Sequence, residues 1–251
     1  MKKLLAFDLD DTLAVSKTPI DDRMADVLPR VLDHFEICVI SGGKYEKFQE
    51  QIINRIKASP EQLHKLHLMP TCGTRYYHFD DVSRKWEQVY TEDLDDEQRK
   101  RIAQVLEEAA KTLGYWEEKT YGDIIEDRGS QVTFSALGQL APPDKKYAWD
   151  PDGTKKLAIR DYAAKKLPDL EVRAGGTTSI DVTPIGIDKA YGMTKLMEQL
   201  EIGKEDILFF GDKLQPGGND YPVKAMGIDS MEVSRWEDTV RCLESILHVI
   251  G

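Results

Sequence analysis

Phe7-Asp8-Leu9-Asp10-Asp11-Thr12-Leu13 closes the first apolar run of the chain, and its reading decides the rest. The preceding Lys3-Leu4-Leu5-Ala6-Phe7 reads as a short buried strand, too apolar for a surface strand and too short for a helix. In extended backbone Asp8 and Asp10 share one face, because side chains alternate with period two. Asp8, Asp10 and Asp11 put three carboxylates within four residues. A like-charged pair at ~4 Å costs about 4 kcal/mol at an effective dielectric constant near 20. A divalent cation relieves that repulsion, and oxygen ligands suit Mg²⁺. Asp8 is then a candidate nucleophile and Asp10 a candidate proton shuttle. The competing reading is a solvated strand-end turn, where Asp and Thr are ordinary residues. This stretch alone does not choose between the two.

Bulk properties narrow the field. A chain of 251 residues can bury a substantial core and hold one large or two small domains. Its 41% hydrophobic and 31% charged residues are ordinary for a globular protein. A net charge of −11 disfavours nucleic acid as a partner, while a local cluster can still receive a small anion. Cys38, Cys72 and Cys242 lie far apart without metal spacing and read as reduced, packed thiols of a cytoplasmic protein. The five histidines show no ligand spacing, which argues against zinc. Lys2-Lys3 and the apolar run after them imitate a signal peptide, but Asp8 ends that run too early. No apolar stretch approaches the ~20 residues that a membrane helix needs, so no membrane partner is expected.

The pattern alternates between strand and helix. Met24, Val27, Leu28, Val31, Leu32 and Phe35 follow helical spacing, with Pro29 expected to kink the helix or restart it. Ile37-Cys38-Val39-Ile40 reads as a second buried strand ending at Ser41-Gly42-Gly43, followed by a helix with Tyr45, Phe48, Ile52 and Ile56 on one face. Strand, helix, strand, helix implies right-handed crossovers and a Rossmann-like parallel sheet. Ligands of such sheets bind beyond the carboxyl ends of the strands, where Asp8 and Ser41 fall. From Ser83 the character changes. Asp95 to Leu113 is a charged amphipathic helix with Gly114 at C′, Gln131 to Ala136 alternates as a half-exposed strand, Lys155 to Lys166 is helical, and Thr177 to Thr183 alternates again. The parallel-sheet pattern resumes near Ile185, with a helix over Asp188 to Leu200 and a third buried strand, Ile207-Leu208-Phe209-Phe210, ending at Gly211-Asp212. A last helix opens with a capping box of Ser234 and Glu237. The expected architecture is an α/β core of residues 1–82 and 185–251 carrying an inserted α+β domain, 83–184.

Chemistry-bearing residues collect at the strand ends. The first gives Asp8 and Asp10, and the second gives Ser41 with two glycines whose N–H groups can cradle a phosphate oxygen. The third gives Asp212, then Lys213 and Pro216-Gly217-Gly218-Asn219-Asp220. Lys189 opens a helix, where its charge opposes the macrodipole and suits a facing carboxylate and phosphate. Taken singly, each has a plain alternative: Ser41-Gly42-Gly43 and Gly217-Gly218-Asn219-Asp220 as turns, Lys189 as a surface lysine. Acid, hydroxyl, lysine and acid in that order at strand ends are much harder to explain as turns.

On these residues the chain resembles the haloacid dehalogenase superfamily, whose four motifs match Asp8-Leu9-Asp10-Asp11-Thr12, Ser41, Lys189 and Gly211-Asp212 with Asn219-Asp220. The insertion looks like the C2-type cap of subclass IIB. Phe209 through Asp220, and Gly175-Gly176 with Ser179, Asp181 and Asp188-Lys189, resemble the eukaryotic-type phosphomannomutases. The resemblance implies that Asp8 forms an aspartyl-phosphate and that Asp10 acts as acid and then base. It also implies that Ser41 and Lys189 neutralise phosphoryl oxygens. Mg²⁺ would be held by the Asp8 carboxylate, the Asp10 carbonyl oxygen and Asp212, with Asp220 in support. Thr12, Gly42, Lys17 and Asn219 would line the substrate site, Arg128 would grip a distal phosphate, and Ser179 and Asp181 would contact sugar hydroxyls. A phosphorylated sugar is the expected partner, and a monomer or cap-mediated homodimer the expected state.

Departures from the mutase pattern shape the expected activity. Asp11 stands in place of a glycine, Gln139 and Lys17 in place of arginines, and the loop Tyr221-Pro222-Val223-Lys224 is short and lacks an acidic residue. Lysine cannot supply the bidentate fork of arginine. These differences put a Mg²⁺-dependent sugar-phosphate phosphatase first and a phosphomannomutase second. Non-enzymatic alternatives are a phosphoacceptor domain and a sugar-phosphate binding protein.

Overall fold

A computed structural model of the chain describes residues 2–175 and 177–250; Gly176, quoted above with Gly175, lies outside the described residues. The chain divides into two compact units, one of residues 1–91 with 188–251 and one of residues 92–187. The first contains β1 (Leu4–Phe7), α1 (Asp22–Leu32), β2 (Glu36–Ile40), α2 (Tyr45–Phe48), α3 (Pro60–Leu63), β3 (Leu66–Met69), β4 (Arg75–Asp80) and β5 (Lys85–Thr91). The second contains α4 (Asp96–Thr112), β6 (Ile125–Asp127), β7 (Val132–Ser135), α5 (Pro143–Trp149), α6 (Thr154–Lys166), β8 (Leu170–Ala174) and β9 (Ser179–Pro184). The first then resumes with α7 (Lys189–Leu200), β10 (Ile207–Gly211), α8 (Tyr221–Ala225), β11 (Asp229–Glu232) and α9 (Trp236–Ile250).

A seven-stranded sheet, ordered β11-β10-β1-β2-β3-β4-β5, organises the first unit. Its first five strands are parallel, and β4 and β5 are added through two antiparallel pairings. β1, β2 and β10 read as continuous apolar runs because each is covered on both faces. Phe7 and Phe210 stack at 4.9 Å within a cluster that includes Met24, Val31 and Leu243, whereas Leu4, Ala6 and Phe209 pack with Met193 and Leu196. The parallel register aligns Phe7 with both Phe210 and Val39, so the residues that follow these strands emerge along one edge of the sheet.

Four expectations are corrected in detail. Pro29 does not restart the helix, since α1 runs through it. Met24, Val27, Leu28, Val31 and Leu32 are buried on both sides of the proline, and that packing outweighs the missing N–H bond. The boundary at residue 83 falls in the turn of the β4–β5 hairpin, which belongs to the core sheet, and the units divide between Thr91 and Glu92. β5 alternates lysine, glutamate and valine because it is an exposed edge, and that polarity imitates a domain change. The units divide again between Ile187 and Asp188 rather than at residue 185. At α9 the backbone N–H of Ser234 donates to Asp238, one residue beyond Glu237.

In the second unit a four-stranded antiparallel sheet is ordered β6-β7-β9-β8. Val132, Phe134, Ile180 and Val182 pack with Ile102, Leu106 and Ile159. Asp95 and Gln98 close a capping box on α4, and Gly114 takes φ +73° just beyond it. Among the described residues, no helix is long and apolar enough to cross a membrane.

Candidate active site

The first unit assembles its charged groups at the C-terminal ends of β1 and β10 and at the start of α7. Asp8 follows β1 directly, and its N–H donates to the carbonyl of Phe210, so the carboxylate is held where β1 meets β10. Lys189 opens α7 behind Asp188, whose carboxylate caps the helix by accepting from the Tyr191 N–H. The Lys189 ammonium reaches inward and bonds both Asp8 Oδ1 and Asp220 Oδ1. Asp8, Lys189 and Asp220 are 4%, 2% and 0% exposed, which makes this a buried ionic triad. Asp220 Oδ2 also accepts from the Lys213 N–H at 3.1 Å. Gly211 must be a glycine, because a Cβ there would lie 2.5 Å from Asp220 Oδ2.

Burial dominates the electrostatics. It raises the Asp8 carboxyl to about 7, with Lys189 pulling it back and Asp220 adding repulsion. Burial alone would lower the Lys189 ammonium, but Asp8 and Asp220 together hold it above its ordinary value. Asp212 is raised by burial, against the pull of Lys213. These groups are arranged to keep negative charge in a poorly hydrated place, which calls for a cationic ligand.

Three carboxylates supply a place for one. Ligand oxygens of Asp8, Asp212 and Asp220 all lie within 4.8 Å of one another. Asp212 Oδ2 bonds Lys213 Nζ at 3.0 Å, while Asp212 Oδ1 is buried with no hydrogen-bond partner. An orphaned carboxylate oxygen facing two further carboxylates fits a hard divalent cation. Both oxygens of Asp220 are already occupied by Lys189 and the Lys213 N–H, so Asp220 is placed to orient its neighbours as much as to ligate.

Asp10 has hydrogen-bond partners of its own. Its Oδ1 accepts from the Lys17 N–H at 2.7 Å and from Gln51 Nε2 at 3.5 Å. Lys17 contributes its backbone here, in a left-handed turn at φ +63°, and its side chain is exposed. Asp11, which stands in place of a glycine, takes the same left-handed conformation at φ +63° and steadies the loop by accepting from the Ser16 N–H. Thr12 is fully buried: its carbonyl accepts from the Thr239 hydroxyl, and its own hydroxyl is without a partner.

Ser41 is 7% exposed at the end of β2, and its hydroxyl accepts from the Gly43 N–H. Gly42 lies between them, half-buried, and Asn219 is exposed in the loop before Asp220. In the second unit, Ser179 and Asp181 share one face of β9, with Ile180 and Val182 buried on the other. Ser179 Oγ meets Ser135 Oγ at 3.2 Å, and Asp181 Oδ1 accepts from Gln131 and Thr133. Gly175 is required beside them, since a Cβ would come within 2.6 Å of Asp181 Oδ2. Arg128 is paired with Glu126 through two contacts of 2.9 and 2.7 Å. Gln139 Nε2 is buried without a partner.

Gln51 was not among the sequence-derived candidates. It is 3% exposed on a π-helical stretch, Gln49–Ile53, and also donates to the Thr18 carbonyl at 2.8 Å. A polar residue beside Ile52 on a buried helical face was the available signal. Lys213, next in sequence to Asp212, was noted without a role, and its pairing with Asp212 now supplies one.

Comparison with known proteins follows the same lines. The sequence profile of the eukaryotic phosphomannomutases matches residues 24–249. A phosphomannomutase of Encephalitozoon cuniculi is 24% identical, with 100% of this chain and 95% of that protein covered. Human phosphomannomutase 1 is 26% identical, with 96% and 91% covered. An IMP-bound IMP-nucleotidase of Plasmodium falciparum superposes with a TM-score of 0.73 at 19% identity, over 99% of this chain and 67% of that one. A haloacid dehalogenase-like hydrolase of Bacteroides thetaiotaomicron superposes with a TM-score of 0.63 at 18% identity, over 98% and 100%. The fold is that of the haloacid dehalogenase superfamily.

Proposed function

The chain belongs to the eukaryotic phosphomannomutase family, and from that premise we propose that it moves a phosphoryl group between Asp8 and a hexose phosphate, interconverting the 1- and 6-phosphates. The observation that carries this reading is the buried contact of Asp8 with Lys189 beside the orphaned Asp212 Oδ1. Asp8 attacks a phosphorus of a hexose bisphosphate through the carboxylate oxygen not committed to Lys189, forming an aspartyl-phosphate as the P–O bond breaks and a hexose monophosphate leaves. Asp10 donates a proton to the departing sugar oxygen and takes one back from the hydroxyl that receives the phosphoryl group, which returns both residues to their starting states. The bonds from Lys17 and Gln51 aim its carboxylate. Ser41 and Lys189 donate to the phosphoryl oxygens, where negative charge is spread in the transition state. Magnesium would be held by the oxygens of Asp8 and Asp212, with the Asp10 carbonyl and Asp220 in support, and when bound would neutralise phosphoryl charge as a Lewis acid.

Sugar recognition by Arg128, Ser179 and Asp181 belongs to the same proposal. Its support is the polar array that Gln131, Thr133, Ser135, Ser179 and Asp181 make on one face of the second sheet. Asp181→Asn is expected to raise KM for hexose phosphates while leaving hydrolysis of p-nitrophenyl phosphate, which has no sugar, unchanged.

Hydrolysis is the second reading, favoured by Gln139 and Lys17 in place of arginines and by the engagement of Arg128 with Glu126. The residues alone put hydrolysis first; family membership moves interconversion ahead of it. The deciding assay incubates the protein with mannose 1-phosphate, Mg²⁺ and a trace of glucose 1,6-bisphosphate, and follows mannose 6-phosphate and free phosphate together, with Asp8→Asn as control. Bisphosphate-dependent isomer with little phosphate supports the mutase. Phosphate without isomer overturns it in favour of the phosphatase.

A further inference from the structure

After β3 the chain makes a tight turn, Thr71-Cys72-Gly73, in which three successive residues are left-handed, at φ +49°, +56° and +85°. Two of them are not glycine, and Thr71 is β-branched, so the conformation is strained. The surroundings fix it. Thr71 and Thr74 are each 1% exposed, and their hydroxyls bond each other at 2.6 Å. The Gly73 carbonyl accepts from the Tyr90 hydroxyl at 2.8 Å.

The turn touches both phosphate-binding elements. On one side the Thr71 N–H donates to the Gly43 carbonyl at 3.0 Å and the Cys72 N–H to the Ser41 carbonyl at 2.9 Å, which pins the Ser41 loop. On the other side it abuts α7. A Cβ on Gly73 would lie 2.3 Å from the Gly192 Cα, and a Cβ on Gly192 would lie 2.6 Å from the Cys72 carbonyl oxygen. The same Gly192 Cβ would lie 2.5 Å from Cδ1 of Ile40, the residue before Ser41. Gly192 is one helical turn along α7 from Lys189.

We propose that the Thr71–Gly73 turn is a positioning element that sets the separation of Ser41 from Lys189, with the Gly73–Gly192 backbone contact as its fixed stop. Two donors carried on different elements must meet the three oxygens of one phosphoryl group. The turn meets the Ser41 loop and α7 through backbone atoms on both sides. Strain at Thr71 and Cys72 is then the cost of holding a spacing that relaxed turns would not hold. A displacement of about 1 Å at such donors can cost ~10²-fold in rate.

The inference rests on this site binding a phosphoryl group, and its test keeps the two apart. Gly192→Ala wedges α7 away from the turn. Cys72→Gly relaxes the strain while keeping the fold. Gly227→Ala is the control, a left-handed glycine at φ +93° with no atom within 4 Å of an added Cβ. Affinity for inorganic phosphate in Mg²⁺ is measured by calorimetry, alongside p-nitrophenyl phosphate turnover and melting temperature. Gly192→Ala is expected to weaken phosphate binding and lower kcat/KM by at least ~10-fold each. Cys72→Gly should lower both severalfold without a drop in melting temperature, so stability and activity part company. Gly227→Ala should lose melting temperature only. If Gly192→Ala does not fold, Cys72→Gly decides. Wild-type phosphate affinity and turnover in the folded variants would overturn the positioning role. A wild-type protein that binds no phosphate would overturn the phosphoryl-site reading and the positioning role with it.

Discussion

The Lys189 ammonium lies 2.5 Å from Asp220 Oδ1, with neither side chain more than 2% exposed. A lysine at the first position of a helix is opposed by the helix dipole, so two buried carboxylates must hold it there. On the proposed mechanism Asp220 acts through Lys189. Asp220→Asn is expected to lower kcat about 10–100-fold, the usual effect of losing a supporting partner. Lys189→Met should lower kcat about 10²–10³-fold, as loss of a donor to a developing oxyanion does. It should also destabilise the metal-free protein by ~3–5 kcal/mol, because two buried carboxylates lose their counter-charge. Steady-state kinetics and urea unfolding measure these effects, and equal losses of kcat in the two variants would refute the ordering.

A carboxyl raised from 3.8 to about 7 makes stability depend on pH in a definite direction. Between those values the folded protein holds more protons than the unfolded chain, so the metal-free protein loses stability as pH rises from about 4 to 7. A divalent cation compensates the ionised form. The rise in melting temperature produced by Mg²⁺ should therefore grow from pH 5 to pH 8, at about 2–4 °C per kcal/mol in a chain of this size. Thermal melts with Mg²⁺ and with EDTA check it, and Asp8→Asn should remove most of the pH dependence of the difference.

Gln51 gives Asp10 a donor that solvent cannot replace. Gln51→Leu keeps the volume but removes the bonds to Asp10 and to the Thr18 carbonyl. It should lower kcat about 10-fold, a part of the 10²–10⁴ that general acid–base catalysis supplies. It should also shift the pH profile of kcat/KM. Asp10→Asn combined with Gln51→Leu should be no worse than Asp10→Asn alone, since residues acting through one another are not additive.

A histidine cluster away from the site has the opposite pH signature from Asp8. His67 and His78 stack at 5.1 Å, and His64 meets His78 edge-on at 4.5 Å. Burial, then the neighbouring His67, lowers the His78 imidazole below its ordinary value. The unfolded chain then binds more protons just below pH 6.5, so stability is lost as pH falls through that range. His78→Phe keeps a ring in the stack and should flatten the decline in melting temperature between pH 7.5 and 5.5. An unchanged slope would discharge His78 as its source.

The legible parts of this protein are those in which one short window carries the whole signal. Asp8, Asp212 and Ser41 each follow an apolar run, and a parallel sheet brings the ends of such runs together without further information. Lys189 is legible for a different reason, since a cation at a helix start contradicts a local rule. The β4–β5 hairpin escaped because a strand at an edge need not be apolar. The histidine stack escaped because it depends on the register that sets His67 opposite His78, which neither strand states alone. Gln51 and the Thr71–Gly73 turn escaped because their roles lie in contacts across long sequence separations, through a side chain in the first case and the backbone in the second. The pairings of Arg128 with Glu126 and of Asp181 with Gln131 and Thr133 also needed the folded sheet.

The pairing of Leu4 with Ile207 puts the two halves of the central sheet far apart in time during synthesis. β1 leaves the ribosome with its β2 side soon satisfied and its β10 side open, an apolar edge waiting for most of translation. Meanwhile residues 92–187, with a hydrophobic cluster of their own, can pack as a finished module. Packing that module first shortens the loop that must close between β5 and α7 and so lowers its entropic cost. Asp8 meets Lys189, 181 residues away, only at the end. The nascent chain is thus most exposed to aggregation just before its active site forms, and a ribosome stalled ahead of β10 would hold a chain that depends on chaperones.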